Sequence, residues 1–226
     1  MLSRRNAAIV TGGLFLIATL FGAISLAFSG SLSSPNYLVE IYHARTQVAF
    51  GILVVVIMTI AIVAIPVVLA PIFKVFDERS AIAYIVLRSL EGVAYLPLIV
   101  GRLLLIALSR DYVASESPAL ESYEVVGGLL HDLEVQASTV STVFFGLGAL
   151  VFYSLLWRSR LLPRWLSGWG FAGGLLACAA AVFGLFDIFS ANLAVLALLW
   201  SPIAINELVL AAWLILKGFR PDEARS

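Results

Sequence analysis

Residues 80–108, SAIAYIVLRSLEGVAYLPLIVGRLLLIAL, are apolar for long enough to cross a bilayer, yet they hold Arg88, Glu91 and Arg102. A helix needs roughly 20 residues to span the hydrocarbon core. At about 100° per residue, Arg88, Glu91, Tyr95 and Arg102 return to one helical stripe. A charge near the bilayer centre is costly unless it is paired or faces a wet cavity. The stripe must therefore point at something inside the protein.

Working outward, five more apolar runs of spanning length flank this one. The six spans are expected at about 7–29, 44–69, 80–108, 132–157, 167–189 and 195–216. The chain is 62% hydrophobic and 12% charged, with mean hydropathy +1.03, far from the composition of a soluble domain. The expected fold is all-α: one membrane domain over residues 1–226, a bundle of six transmembrane helices with no soluble domain. Fourteen basic and fourteen acidic residues cancel, so no global field points to nucleic acid. The single cysteine, Cys178, excludes an internal disulfide and sits in an apolar run, where a small packed residue is expected.

Orientation follows from Lys and Arg. Arg4 and Arg5, Lys74 and Arg79, Arg158, Arg160 and Arg164, and Lys217, Arg220 and Arg225 all fall on one side, with Arg110 opposite. Both termini are expected in the cytoplasm of a prokaryotic cell, with the chain in its cytoplasmic membrane. The connection 109–131, with Asp111, Glu116, Glu121 and Glu124 around Pro118, reads as an outer polar loop that has room for an interfacial helix. The first apolar run is longer than the core of a typical signal peptide and reads as an uncleaved span; cleavage would leave five.

Pro97 and Pro202 fall inside the third and sixth spans and favour kinks. Gly170 and Gly174 form a small-xxx-small pair suited to close helix contact. The loop WRSRLLPRW (157–165) mixes arginines with tryptophans, as expected where a chain meets headgroups.

Depth at 1.5 Å per residue puts Arg88 roughly 12 Å and Glu91 roughly 16 Å from the cytoplasmic edge, and Glu207 roughly 18 Å from the outer one. Asn206 sits beside Glu207. Arg88 can pair with Glu91 three residues on. Arg102 lies nearer the outer surface, level with His43, Arg45 and Gln47, with His131, Asp132, Glu134 and Gln136, and with Asp187. The expected picture is an outward-facing polar cavity lined by Arg88, Glu91, Tyr95, Arg102, Gln136, Asn206 and Glu207, which binds or passes a small solute or ion. A second reading is a membrane enzyme that holds haem or zinc through His43, His131 and Asp132, with Glu134 or Glu40 as further ligands. No ligand-spacing motif backs it, and no cofactor is predicted on these residues alone. A third reading is a structural or assembly protein whose buried ion pairs fix helix register. No phosphate-binding glycine loop or nucleophile motif is present, so an enzyme is the less favoured class. The expected partner is the lipid bilayer.

The stretch FFGLGALVFYSLLWRSRLLPRWLSGWGFAGG (144–174) resembles bacterial membrane proteins grouped as domain of unknown function 4386. LRSLEGVAYL with Arg88 and Glu91, LLHDLEV with His131 and Asp132, and NELVLAAWLILKGF with Glu207 and Trp213 resemble the same family in the same order. The resemblance implies a six-span integral membrane protein of bacteria or archaea, and it implies no activity, cofactor or catalytic residue.

Overall fold

A computed structural model describes residues 3–28, 34, 36–115, 120–186, 188 and 193–220. Eight helices follow one another: α1 (Arg4–Ala27), α2 (Tyr37–His43), α3 (Arg45–Phe73), α4 (Glu78–Ala94), α5 (Leu96–Ala114), α6 (Leu120–Ser159), α7 (Arg164–Leu185) and α8 (Leu193–Leu216). There is no strand among the described residues. Six stretches are long and apolar enough to span: Arg4–Ser25, Arg45–Phe73, Glu78–Ala114, Glu121–Ser159, Arg164–Leu185 and Ala194–Leu216. Their number and order are those expected from sequence, and the chain is a multi-pass membrane protein.

Two boundaries differ in an informative way. The third span is two helices, because Tyr95 (φ −78°, ψ −15°) interrupts it and Pro97 stands at the start of α5 without an amide hydrogen to give back. The fourth span starts well before residue 132. Helix α6 already begins at Leu120 and absorbs the acidic stretch read as a loop. Tyr123 meets Tyr112 edge-on, and the Tyr37 hydroxyl donates to the Glu124 carbonyl at 3.1 Å. One face of this segment therefore has partners on α2 and α5, while Glu121 and Glu124 stay exposed. Glu116, Pro118, Asp187 and Arg225, all used above, lie outside the described residues. At 40 residues, α6 is about 60 Å long, twice the hydrocarbon thickness. Its first turns lie at the end away from the termini, against α2 and α5. Pro66 and Pro71 sit inside α3 and Pro202 inside α8 without ending either helix.

The spans close into a ring: α1 packs on α3, α3 on α4, α4 on α6, α6 on α7, α7 on α8, and α8 back on α1. Aromatic rings fill the half of this ring nearer the termini. Phe152 lies 5.5 Å from Phe15, 5.9 Å from Phe73, 5.0 Å from Tyr84 and 4.9 Å from Tyr153, ring centre to ring centre. Such pairs add about 0.5–1.5 kcal/mol each beyond area burial. Lipid supplies no hydrophobic drive between helices, so close fit has to carry the association. Glycines permit it. A Cβ on Gly12 would stand 2.8 Å from the Ala211 carbonyl oxygen, and one on Gly173 would stand 3.0 Å from the Ile203 backbone. One on Gly170 would overlap the Tyr153 ring, and one on Gly174 would press on Ala149.

The end that carries the termini is fastened by polar contacts. Arg5 donates to the Ile215 carbonyl at 2.7 Å, and the Arg220 amide donates to the Leu161 carbonyl at 2.9 Å. Gly218 (φ 73°) closes α8 in the left-handed region that favours glycine. Asp77 caps α4, accepting from the Ser80 amide at 3.1 Å and the Ser80 hydroxyl at 2.7 Å. Those bonds, the hydroxyl's first, hold the Asp77 carboxyl below the usual carboxylate range. The charged cap is therefore complete at neutral pH and fades only as pH falls through that lowered value.

The glycine contacts separate two otherwise identical substitutions. Gly170→Ala forces the Tyr153 ring out of place and should cost about 1–3 kcal/mol. Gly13 has open space at its Cβ position, so Gly13→Ala should be neutral or stabilising by up to about 1 kcal/mol. Thermal unfolding of the two variants in detergent checks both.

Candidate functional site

The charged stripe resolves into two layers. The deeper one starts from Arg88 and Glu91 on α4, which are 3% and 2% exposed and joined by an Arg88 Nη1 to Glu91 Oε2 hydrogen bond of 2.8 Å. Their spacing of three places both on one face, so the pair forms within its own helix. The guanidinium lies over the Phe145 ring at 5.6 Å, and that ring stacks on Trp200 at 5.5 Å. Gly148 leaves room for the arginine stem: a Cβ there would sit 3.4 Å from Arg88 Cδ. Neighbouring α6 thus accommodates the cation with a glycine and an aromatic face, one turn apart.

The helix break at Tyr95 contributes to this layer. The Tyr95 amide bonds the Gly92 carbonyl at 3.3 Å, so the Glu91 carbonyl lacks its usual partner four residues on. Ser141 of α6 supplies one, its hydroxyl donating to that carbonyl at 3.2 Å. The Tyr95 hydroxyl lies beside the same serine. A freed backbone group inside the bilayer must be satisfied by a neighbour, and here one hydroxyl does so.

From the other side of the ring, Glu207 of α8 accepts a hydrogen bond of 2.8 Å from the Thr19 hydroxyl of α1. Arg88 lies within electrostatic reach of Glu207 as well as Glu91, and the two carboxylates are within reach of each other. Tyr84, Tyr95 and Tyr153 border the same group. Two buried atoms here have no hydrogen-bond partner among the described residues: Arg88 Nε and the Tyr153 hydroxyl.

The second layer joins α5 to α6. Arg102, 4% exposed, reaches Glu134, 8% exposed, through Nε to Oε1 at 3.0 Å and through Nη2 to the same oxygen. Glu134 Oε2 and His131 Nδ1, one turn apart on α6, are buried without a hydrogen-bond partner among the described residues. Val55, Met58 and Ile62 of α3, Leu98 of α5 and Ala137 of α6, with Tyr95 and Phe21 against them, form an apolar cluster.

The other expected residues lie apart from the deeper layer. Arg102 belongs to its own pair with Glu134 and does not join Arg88 and Glu91. Gln136 is exposed on the outside of α6: it lies about 200° around the helix from Glu134, so the turn that buries one exposes the other. Asn206 is fully buried but faces α7, donating to the Leu166 carbonyl at 3.0 Å. Two notches lie away from the deeper layer, one at Phe76, Asp77, Leu155, Arg158 and Ser159 and one at Asn36, Tyr37, Leu38, Tyr112 and Glu124, at opposite ends of the bundle. The proposed metal ligands also stay apart. His43 and Asp132 are exposed, His43 lying edge-on to Tyr42. Among the described residues no three His, Cys, Asp or Glu side chains converge. Thr19, Ser141, Gly148 and Phe145 were absent from the expected set, since nothing in a one-helix pattern reports a partner on another helix.

A double-mutant cycle isolates the second layer. Arg102→Leu or Glu134→Leu alone should cost about 3–5 kcal/mol by burying an uncompensated charge, while the pair together should come close to neutral. Unfolding of the three variants in mixed micelles measures this.

No curated protein and no solved structure matches the chain. A family model described as domain of unknown function (DUF4386) matches residues 10–218. That span holds all six membrane stretches apart from the first residues of α1, and both charged layers. The chain belongs to the DUF4386 family of integral membrane proteins of unknown function.

Proposed function

We propose that the Arg88, Glu91 and Glu207 layer is a binding site for a proton or a monovalent cation, and that the protein binds or passes that ion across a prokaryotic cytoplasmic membrane with both termini inside. The observation that supports this reading is a charge count. Arg88 pairs with Glu91 and lies within electrostatic reach of Glu207, so two carboxylates face one guanidinium. Residues 6–27 of α1, 46–73 of α3 and 165–185 of α7 contribute no charged side chain. The remaining titratable neighbours are Tyr84 on α4, Tyr95 at the break between α4 and α5, and Tyr153 on α6, neutral near pH 7. With both acids ionised the layer carries one uncompensated negative charge in a medium that penalises it by several kcal/mol. One proton or one alkali cation removes that charge.

The geometry suits release as well as binding. Glu207 is held by a neutral hydroxyl and is partly exposed, whereas Glu91 is clasped by Arg88. Glu207 is therefore the acid that takes the ion, and Arg88 with Glu91 is the fixed counterpart. The break at Tyr95 is the place where the apolar cluster could part to let an ion reach the layer.

The test is thermal stability from mildly acidic to mildly alkaline pH, with and without Na⁺ or K⁺, followed by ion uptake into proteoliposomes. The wild type should lose stability as pH rises by up to about 1.4 kcal/mol per pH unit, the slope of one bound proton, since the folded state holds a proton that the unfolded chain releases. A bound alkali cation should flatten that slope. Glu207→Gln leaves a neutral layer and should be stable, insensitive to cations and inactive in uptake. Glu91→Gln removes the clasp on Arg88 and should cost about 3 kcal/mol or more. Equal pH and cation dependence in wild type and Glu207→Gln would make the layer a structural strut.

A further inference from the structure

A second feature, unconnected with the buried layer, lies where the bundle meets the headgroups. The turn between α3 and α4 and the last turn of α6 enclose a notch of about 250 Å³, lined by Phe76, Asp77, Leu155, Arg158 and Ser159. Its two charges are of opposite sign. Asp77 feels the Arg158 guanidinium, yet they form no ion pair within 4 Å. Arg158 makes no hydrogen bond or ion pair among the described residues. The neighbouring acid, Glu78, is already engaged with Lys74 at 3.9 Å. The Asp77 oxygens each accept one bond from Ser80 and retain lone pairs for a further donor.

The level of the notch is marked by its surroundings. Trp157, adjacent to Arg158, is 44% exposed and stacks under the Arg164 guanidinium at 5.4 Å. Trp165, Trp169 and Trp213 cluster at the same end of the bundle, with Lys217 over Trp213 at 4.2 Å. Val75 is 64% exposed beside the notch. Exposed tryptophans, a bare valine and basic side chains together describe the boundary between acyl chains and headgroups.

A plain anion in the notch would meet Asp77, and a plain cation would meet Arg158. A zwitterion satisfies both. We propose that this notch seats the headgroup of a phospholipid carrying a primary ammonium beside its phosphate, with the ammonium on Asp77, the phosphate on Arg158 and the first acyl carbons against Phe76 and Leu155. A primary ammonium brings hydrogen-bond donors to the carboxylate, which a quaternary one lacks. The site therefore discriminates phosphatidylethanolamine from phosphatidylcholine at equal net charge.

Native mass spectrometry of the delipidated full-length protein tests this, with phosphatidylethanolamine, phosphatidylcholine and phosphatidylglycerol of the same acyl chains offered in turn. The variants leave the fold intact. Asn is as good a helix cap as Asp, so Asp77→Asn removes the charge and keeps the cap. Arg158→Gln alters an exposed, unpartnered side chain. Wild type should favour phosphatidylethanolamine over both others by about tenfold, the size of one charge-assisted hydrogen bond. Asp77→Asn should bring the ethanolamine and choline lipids to parity, and Arg158→Gln should weaken both. Excess soluble phosphoethanolamine should displace the lipid only weakly, because it lacks the acyl contacts. Equal binding of the three lipids overturns the proposal. So does a preference for phosphatidylglycerol that survives Asp77→Asn, which would show a basic rim reading net charge alone.

Discussion

A guanidinium inside a membrane protein needs compensation from several directions at once, and Arg88 shows how many local features one such charge demands. Its carboxylate partner comes from its own helix, which needs only the spacing of three between Arg88 and Glu91. The local fit comes from α6: a glycine where the stem passes, an aromatic face under the charge, and a serine for the backbone carbonyl of the partner. These three lie at positions 141, 145 and 148, spaced four and three apart, so one face of α6 is committed to this single task. The packing of α4 on α6 is in this sense specified by the arginine, and the ring closes around that contact.

The sequence of layers along the bundle gives the charge its setting. Phe15, Phe73, Tyr84, Phe152 and Tyr153 fill the ring toward the termini, and the Val55, Met58, Ile62 and Leu98 cluster belongs to α3 and α5. Low dielectric strengthens the Arg88–Glu91 attraction and raises the penalty for any charge left over. The same surroundings that make the pair firm make an unmatched carboxylate expensive. An aqueous cavity would relax both effects.

How much of this was legible in the sequence depended on whether a feature involved one helix or two. The six spans, the break at Pro97 and the Arg88–Glu91 pair are all one-helix properties, readable from hydropathy and a spacing of three. The exposure of Gln136 and Asp132 was also readable: each lies two residues from Glu134, hence on the opposite side of α6, whereas His131 at three shares its face. The pairing of Arg102 with Glu134 was not, because it needs α5 beside α6, and sequence separation says nothing about that. Nor could the acidic charges between residues 111 and 124 reveal a helix. Their pattern resembles a solvated loop until Tyr37 and Tyr112 supply the apolar partners that pin one face. The glutamates were seen, and the tyrosines opposite them were not.

The two buried layers differ in a way that bears on which one can act. Arg102 and Glu134 match in charge, and two guanidinium nitrogens converge on one carboxylate oxygen. Moving either side chain would strand the other, so such a pair resists rearrangement and suits a strut that fixes the register of α5 on α6. The deeper layer has one acid more than it has bases, and the extra acid is held by a threonine hydroxyl from a different helix. A hydroxyl can donate to a carboxylate or accept from a carboxylic acid with the same heavy-atom geometry. Thr19 can therefore serve Glu207 in either protonation state without any helix moving, which a guanidinium cannot do. The proposed ion exchange needs partners that tolerate both states, and of the two layers it is the one built on Glu207 that offers them.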